Sequence, residues 1–182
     1  MSNQREHVNV LIVGAGLSGI GAAAQLTREH PGRSYAVLER RAASGGTWDL
    51  FRYPGIRSDS DMFTLGYRFK PWRGDKALAD GSSILAYVRE TATEYGIDEH
   101  IRYGYDARAA SWDSATATWT VTVEHGAGEE RSTSEITCHF LWATTGYYEP
   151  HEQESLKAAA REAMVTEPVR LLGRFVELHA RP

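Results

Sequence analysis

An α/β fold built on a doubly wound parallel sheet is what the sequence predicts. Three features point to it: an apolar run at residues 8–13 stopping at Gly14, a glycine-rich turn from Gly14 to Gly19 leading into helix formers, and a second apolar run at residues 34–39. Together they make a β–turn–α–β unit of roughly 32 residues, the size of a right-handed parallel crossover.

The first run, interrupted only by Asn9, lacks polar alternation and reads as a strand buried on both faces. Residues 20–29 are rich in alanine and other helix formers, and His30-Pro31-Gly32 stops them. The run at 34–39 supplies the second strand. Residues 40–80 break this pattern. Gly45-Gly46, Pro54-Gly55 and Pro71 punctuate a stretch that carries Trp48, Phe51, Tyr53, Phe63, Tyr67, Phe69 and Trp72. A segment this long without periodicity points to function, and its aromatics point to packing rather than looseness.

Ser82 is expected to cap a helix over 83–95, with Ile84, Val88, Ala92 and Tyr95 on one stripe and Gly96 as terminator. Residues 101–103 fit a short strand. Runs at 107–112, 119–124 and 131–137 are separated by Asp113-Ser114 and Gly126-Ala127-Gly128, and predict an antiparallel β-meander. The meander is expected as an insertion before a closing buried strand at 140–143. Residues 154–164 and 168–179 have amphipathic spacing, giving an expected organisation of a domain over 1–150 and a helical C-terminal tail over 151–182.

Composition narrows the function classes. With 42% hydrophobic and 24% charged residues in 182, the chain is not a disordered or low-complexity sequence. Twenty Lys+Arg against 24 Asp+Glu give a net charge of −4 with no block of like charge, which argues against nucleic acid as a partner. The segment 67–73 interleaves bases with aromatics, but acidic residues flank it and a packed loop is expected. Cys138 is the only cysteine and reads as inert core; the seven histidines show no ligand spacing, so no metal site is expected. The N-terminal apolar run is too short for a signal peptide, no stretch reaches the length of a membrane span, and a cytoplasmic location is expected.

The chemistry concentrates in the first sixty residues. Gly14 allows a tight turn out of the first strand, Gly16 lets backbone N–H groups approach a pyrophosphate, and Gly19 lets the helix pack close to the sheet. The helix N-terminus adds partial positive charge and free donors. Glu39 ends the second strand 20 residues beyond Gly19, where a carboxylate can accept both hydroxyls of an adenosine ribose. FAD and NAD share this fingerprint. Gly45-Gly46-Thr47-Trp48 then offers a second flexible backbone approach with an indole beside it, which suits a longer cofactor; a glycine turn beside a core tryptophan is the plainer reading.

Taken together, the turn GAGLSG, Glu39, the block GGTWDLFRYPGIRSDSD over 45–61 and ATTG over 143–146 resemble the FAD-binding N-terminal part of Baeyer–Villiger monooxygenases, over roughly residues 8–148. That resemblance implies a Rossmann-like FAD-binding domain and a set of roles. Gly14, Gly16, Ser18 and Gly19 would hold the FAD pyrophosphate and Glu39 the ribose. Gly46, Thr47, Trp48, Asp49 and Leu50 would run along the cofactor toward the flavin. Arg57, Ser58 and Asp59 match the family's meeting point of FAD and NADPH, with Asp59 the catalytic candidate that pairs with an arginine from later in the chain. Ala107 would present backbone to the adenine, and Thr145-Gly146 would close the domain. The implied reaction is NADPH- and O2-dependent oxygen insertion into a small-molecule ketone or thioether, in which reduced flavin activates O2 and the protein excludes water and steadies negative charge.

Two departures stand beside the agreement. The family's F-x-G-x-x-x-H-x-x-x-W-P stretch and its second glycine fingerprint have no counterpart after Gly146, and the tail histidines His151 and His179 lack the residues that surround that histidine. The NADPH domain and the arginine region are thus expected to be missing, and turnover by this chain alone is not expected. A non-catalytic FAD-binding or interaction module is the competing expectation; a single-domain NAD-dependent reductase, which would purify colourless, is the third.

Overall fold

The computed structural model describes residues 5–146 apart from Ala127, Glu129 and Glu130. The two helices expected at 154–164 and 168–179, and with them the tail over 151–182, lie outside the described residues. Six strands form one mixed sheet: β1 (Glu6–Val13), β2 (Tyr35–Glu39), β3 (Ile101–Tyr103), β4 (Tyr105–Asp113), β5 (Thr118–His125) and β6 (Ser132–Ala143). Their order is β3-β2-β1-β6-β5-β4. β1 pairs in parallel with β2 on one side and β6 on the other, and β2 pairs in parallel with β3. β4, β5 and β6 run antiparallel in succession.

The apolar residues of β1 explain its central place, because both of its faces are covered. Val10 and Ile12 join a core formed with helices α1 (Leu17–Glu29) and α4 (Gly81–Glu94), in which Ile20, Ala23, Ala24, Ile84, Val88 and Ala92 are fully buried. The alanines of α1 keep that layer thin enough for the two helices to share one sheet face. Leu11 and Val13 face the other way and pack, with Leu38, against Ala107, Trp119, Val121 and Val123. β4, β5 and the first part of β6 therefore curl over and cover the second face of the β1–β2 region. Truncating Ile12 to Ala at the heart of the stack would cost about 2–5 kcal/mol.

The α/β class is as expected, with several boundaries corrected. The runs read separately at 131–137 and 140–143 are one twelve-residue strand, β6. Its first part pairs with β5 and its last part with β1, overlapping at residues 136–138, so the meander's last strand runs directly on into the closing strand beside β1. Asp80, not Ser82, caps α4: its carboxylate accepts from the Ser83 N–H at 2.9 Å, and the helix starts at Gly81. α1 begins at Leu17, inside the glycine turn. The irregular stretch holds two single-turn helices, α2 (Thr47–Leu50) and α3 (Met62–Leu65).

The 67–73 segment is packed as expected. The Tyr67 ring stacks on Phe69 at 4.9 Å and on Tyr87 at 5.4 Å, and its hydroxyl donates to the Leu17 carbonyl at 2.6 Å. Burial, reinforced by the neighbouring Tyr87, pushes the Tyr67 hydroxyl well above the usual phenol range. Among the described residues, no helix is long and apolar enough to cross a membrane.

Candidate functional site

The carboxyl ends of β1, β2 and β6 converge beside the N-terminus of α1. Open α/β sheets bind ligands in the crevice outside the carboxyl ends of their strands. A cavity of 790 Å3 lies there, within the range of small-molecule and cofactor sites.

The floor is made of backbone at close quarters. A Cβ at Gly14 would lie 2.8 Å from the Thr144 carbonyl oxygen, and one at Gly19 would lie 1.8 Å from the Gly14 carbonyl oxygen. Thr144 stitches β1 to β6: its N–H and its hydroxyl each donate to the Val13 carbonyl at 2.8 Å. Gly16 is the N-cap of α1 and supplies no side chain, so no side-chain oxygen covers the first-turn donors, which face the cavity beside Leu17 and Ser18.

Glu39 is 7% exposed and closes the end of β2. One carboxylate oxygen accepts the Ala15 N–H at 2.9 Å and the other the Arg41 N–H at 3.0 Å. A carboxylate offers about four acceptor directions, so two remain for hydroxyl donors from a ligand. The acid is fixed in place by the glycine turn itself.

Opposite Gly16 stands the Gly45-Gly46 turn, with φ of +119° and +54°, conformations that suit only glycine. A Cβ on Gly46 would come within 2.9 Å of the Gly16 Cα, so the two glycine turns touch across the site. Thr47, Trp48 and Leu50 continue the wall, and Trp48 is anchored in the α1–α4 core. Arg57, Ser58 and Asp59 lie on the far wall. Ser58 is buried, its N–H donating to the Ala79 carbonyl at 3.0 Å, while Arg57 and Asp59 stand exposed on either side of it. Ala107 lines the wall where the β4–β5 register slips by one residue, and Thr145 and Gly146 complete the rim.

Most residues expected to line a site therefore share one cavity: Gly14, Gly16, Ser18, Glu39, Gly46, Thr47, Trp48, Leu50, Arg57, Ser58, Asp59, Ala107, Thr145 and Gly146. Gly19 and Asp49 do not line it. Gly19 lies beneath the turn. Asp49 is 3% exposed and turns its carboxylate away to Arg41, Arg52 and Arg89. Burial alone would raise the Asp49 carboxyl, but attraction to these three guanidinium groups holds it below the usual carboxylate range.

Sequence reading missed several wall residues, among them Arg40, Arg41, Tyr53, Tyr105, Asp106 and Thr144. Arg40 and Arg41 follow the acid directly, a position from which a strand end must point into the site. For Thr144 the signal was present in ATTG: glycines at 14 and 19 need a partner that approaches them, and Thr144 is that partner.

The fold is Rossmann-like, and a family model described as an NAD(P)-binding Rossmann-like domain matches residues 12–71. The chain is similar in sequence to FAD-containing monooxygenases. It is 52% identical over 161 residues to the FAD-containing monooxygenase EthA of Mycobacterium tuberculosis, covering 88% of this chain and 32% of that protein. It is 56% identical over 143 residues to EthA of Mycolicibacterium smegmatis, covering 79% of this chain and 28% of that protein. Among solved structures, oxidized steroid monooxygenase bound to NADP superposes with a TM-score of 0.66 at 27% identity, over 77% of this chain and 26% of that one. The expected resemblance to the FAD-binding part of these enzymes is borne out, and the chain spans between a quarter and a third of the length of the relatives it matches.

Proposed function

We propose that the cavity at the carboxyl end of the sheet binds FAD and that the chain supplies the FAD-binding part of a Baeyer–Villiger-type monooxygenase. The Glu39 carboxylate, fixed by the Ala15 N–H beside an uncapped helix N-terminus, is the observation that carries this reading. Gly14, Gly16 and Ser18 would hold the pyrophosphate on backbone donors, with Gly19 letting the helix close beneath them. Glu39 would accept the ribose hydroxyls, and Ala107 would present backbone to the adenine. Gly46, Thr47, Trp48 and Leu50 would line the path to the flavin, closed by Thr145 and Gly146. Bound flavin would supply the redox chemistry, reacting with O2 once reduced.

The chain's own residues would exclude water and set charge around that ring. Trp48 and Leu50 provide apolar wall, and Arg57 provides a cation at the edge where NADPH would approach. Asp59, exposed beside it, would orient a second cation and so acts as a positioning carboxylate. NADPH-dependent oxygen insertion into a small ketone or thioether, in the cytoplasm, is the whole-protein activity that this part serves. The names of the relatives, FAD-containing monooxygenases, support the monooxygenase part of that reading.

Titration of the purified chain with FAD tests the proposal, with Gly16→Val as control. A valine at the point where the two glycine turns meet blocks the pyrophosphate approach, and retained FAD in that variant would contradict the site assignment. NADPH consumption with a simple ketone or thioether separates a working monooxygenase from the competing reading, a non-catalytic FAD-binding module.

A further inference from the structure

We propose that Asp49 positions the Gly45-Gly46 turn against the cofactor, acting through Arg41 and Arg89. This rests on the FAD reading above and assigns a role to a residue that does not touch the cavity. Arg41, just past β2, donates through Nη1 to the Gly46 carbonyl at 3.1 Å and through Nη2 to one carboxylate oxygen of Asp49. Arg89, on α4, donates through Nη2 to the Ser44 carbonyl at 3.0 Å and to the other Asp49 oxygen at 2.9 Å. The carbonyls that bracket Gly45 are thus each held by an arginine, and both arginines converge on one buried carboxylate. Arg52 also meets Asp49, at 3.0 Å, but its hydrogen bonds go to the Asp49 carbonyl and carboxylate and not to the turn carbonyls.

The turn needs such an anchor. Two successive glycines at positive φ have many alternative conformations. Backbone holds this turn through the Gly45 N–H, which donates to the Ala15 carbonyl at 2.9 Å, and through the α2 N–H groups of Trp48, Asp49 and Leu50, which donate to the Gly45 and Gly46 carbonyls at 3.2, 3.1 and 2.9 Å. The arginines add the ties to β2 and α4. A ligand that needs the Gly46 backbone in one place binds in proportion to the fraction of chains that hold it there. Asp49 raises that fraction by fixing two cations which would otherwise repel each other behind the turn. It ties three elements into one block: the end of β2, α2 and α4.

The test compares FAD titrations of the 182-residue chain, by quenching of flavin fluorescence, for wild type, Asp49→Asn, Arg89→Gln and Arg89→Lys. Melting midpoints of the ligand-free chains and visible circular dichroism of the bound flavin are measured alongside. Asp49 keeps its ion pairs with Arg41 and Arg52 when Arg89 is lost, so the Arg89 variants remain informative if Asp49→Asn folds poorly. Arg89→Gln is expected to raise the apparent Kd about tenfold, with the melting midpoint within a few degrees of wild type. Arg89→Lys is expected to recover much of the affinity, and the dichroism of residual bound flavin should change in Arg89→Gln. Unchanged affinity and dichroism in Arg89→Gln and Asp49→Asn, with FAD bound by wild type, would overturn the inference alone. A wild-type chain that takes up no FAD would remove the FAD reading and this inference with it.

Discussion

The carboxylate of Glu39 accepts a 2.9 Å hydrogen bond from the backbone N–H of Ala15, joining the last residue of β2 to the middle of the glycine turn. Two loops separated by 24 residues thereby share one rigid corner, and the ribose site and the pyrophosphate site are set by the same contact. Glu39→Gln keeps the shape but replaces one acceptor oxygen with an N–H2 group that cannot accept from Ala15 or Arg41. It is expected to lose about 1–3 kcal/mol of stability and to weaken FAD binding at least about tenfold. Urea unfolding and flavin titration of the same preparations check both parts.

The glycines of the turn are not equivalent. A methyl group at Gly19 would sit 1.8 Å from the Gly14 carbonyl oxygen, so Gly19→Ala must push α1 off the sheet. Overpacking of this kind costs about 1–3 kcal/mol or more, and thermal unfolding is expected to show it without any ligand. A methyl group at Gly16 meets the Gly46 Cα at 3.5 Å, an ordinary contact, at a φ of −82° open to any residue. Gly16→Ala should therefore melt near wild type and yet bind FAD more weakly.

The cap of α4 carries a pH signature. Hydrogen bonds from the Ser82 hydroxyl, then from the N–H and hydroxyl of Ser83, favour the charged form of Asp80 and lower it from 3.8 to about 2. Because the folded value is depressed, the stabilisation is fully present above the unfolded value and fades as pH falls toward about 2. Asp80→Ala is expected to cost about 1 kcal/mol at neutral pH, with the difference from wild type shrinking in acid. Denaturation midpoints at pH 7 and pH 2.5 measure it.

Cys138 lies in β6 opposite Val8 of β1, fully buried, and burial pushes its thiol up to about 12. Thiolate is the reactive form, so the native chain should resist alkylation at pH 8 and react only when unfolded. Mass analysis after a timed iodoacetamide pulse, with and without urea, reads this directly; fast labelling of the folded chain would contradict the packing of β6 against β1.

Much of the site could be read from residues because its chemistry is backbone chemistry. A glycine turn, a strand and an acid at fixed spacing leave few arrangements, and Gly14, Gly16 and Glu39 fall where that spacing put them. What escaped depends on long-range partners. β6 reads as two strands because its neighbour changes from the antiparallel β5 to the parallel β1 along its length, and with it the apolar pattern changes near Cys138. Asp80 was passed over as a cap because two serines follow it. Gly81 fits the first turn, packed so tightly on Ile56 that an added Cβ would lie 2.9 Å from its Cγ2. Asp49 carried no sign of its three arginines, since Arg89 lies 40 residues away on another helix.

Equilibration of the purified chain with FAD, removal of unbound flavin and a visible absorption spectrum test the central claim most directly, with Glu39→Gln run beside wild type. Binding in this cavity predicts a stoichiometric flavin spectrum for the wild-type chain and a sharply reduced one for the variant. A folded wild-type chain that elutes colourless, or a Glu39→Gln chain that retains as much flavin as wild type, would contradict it.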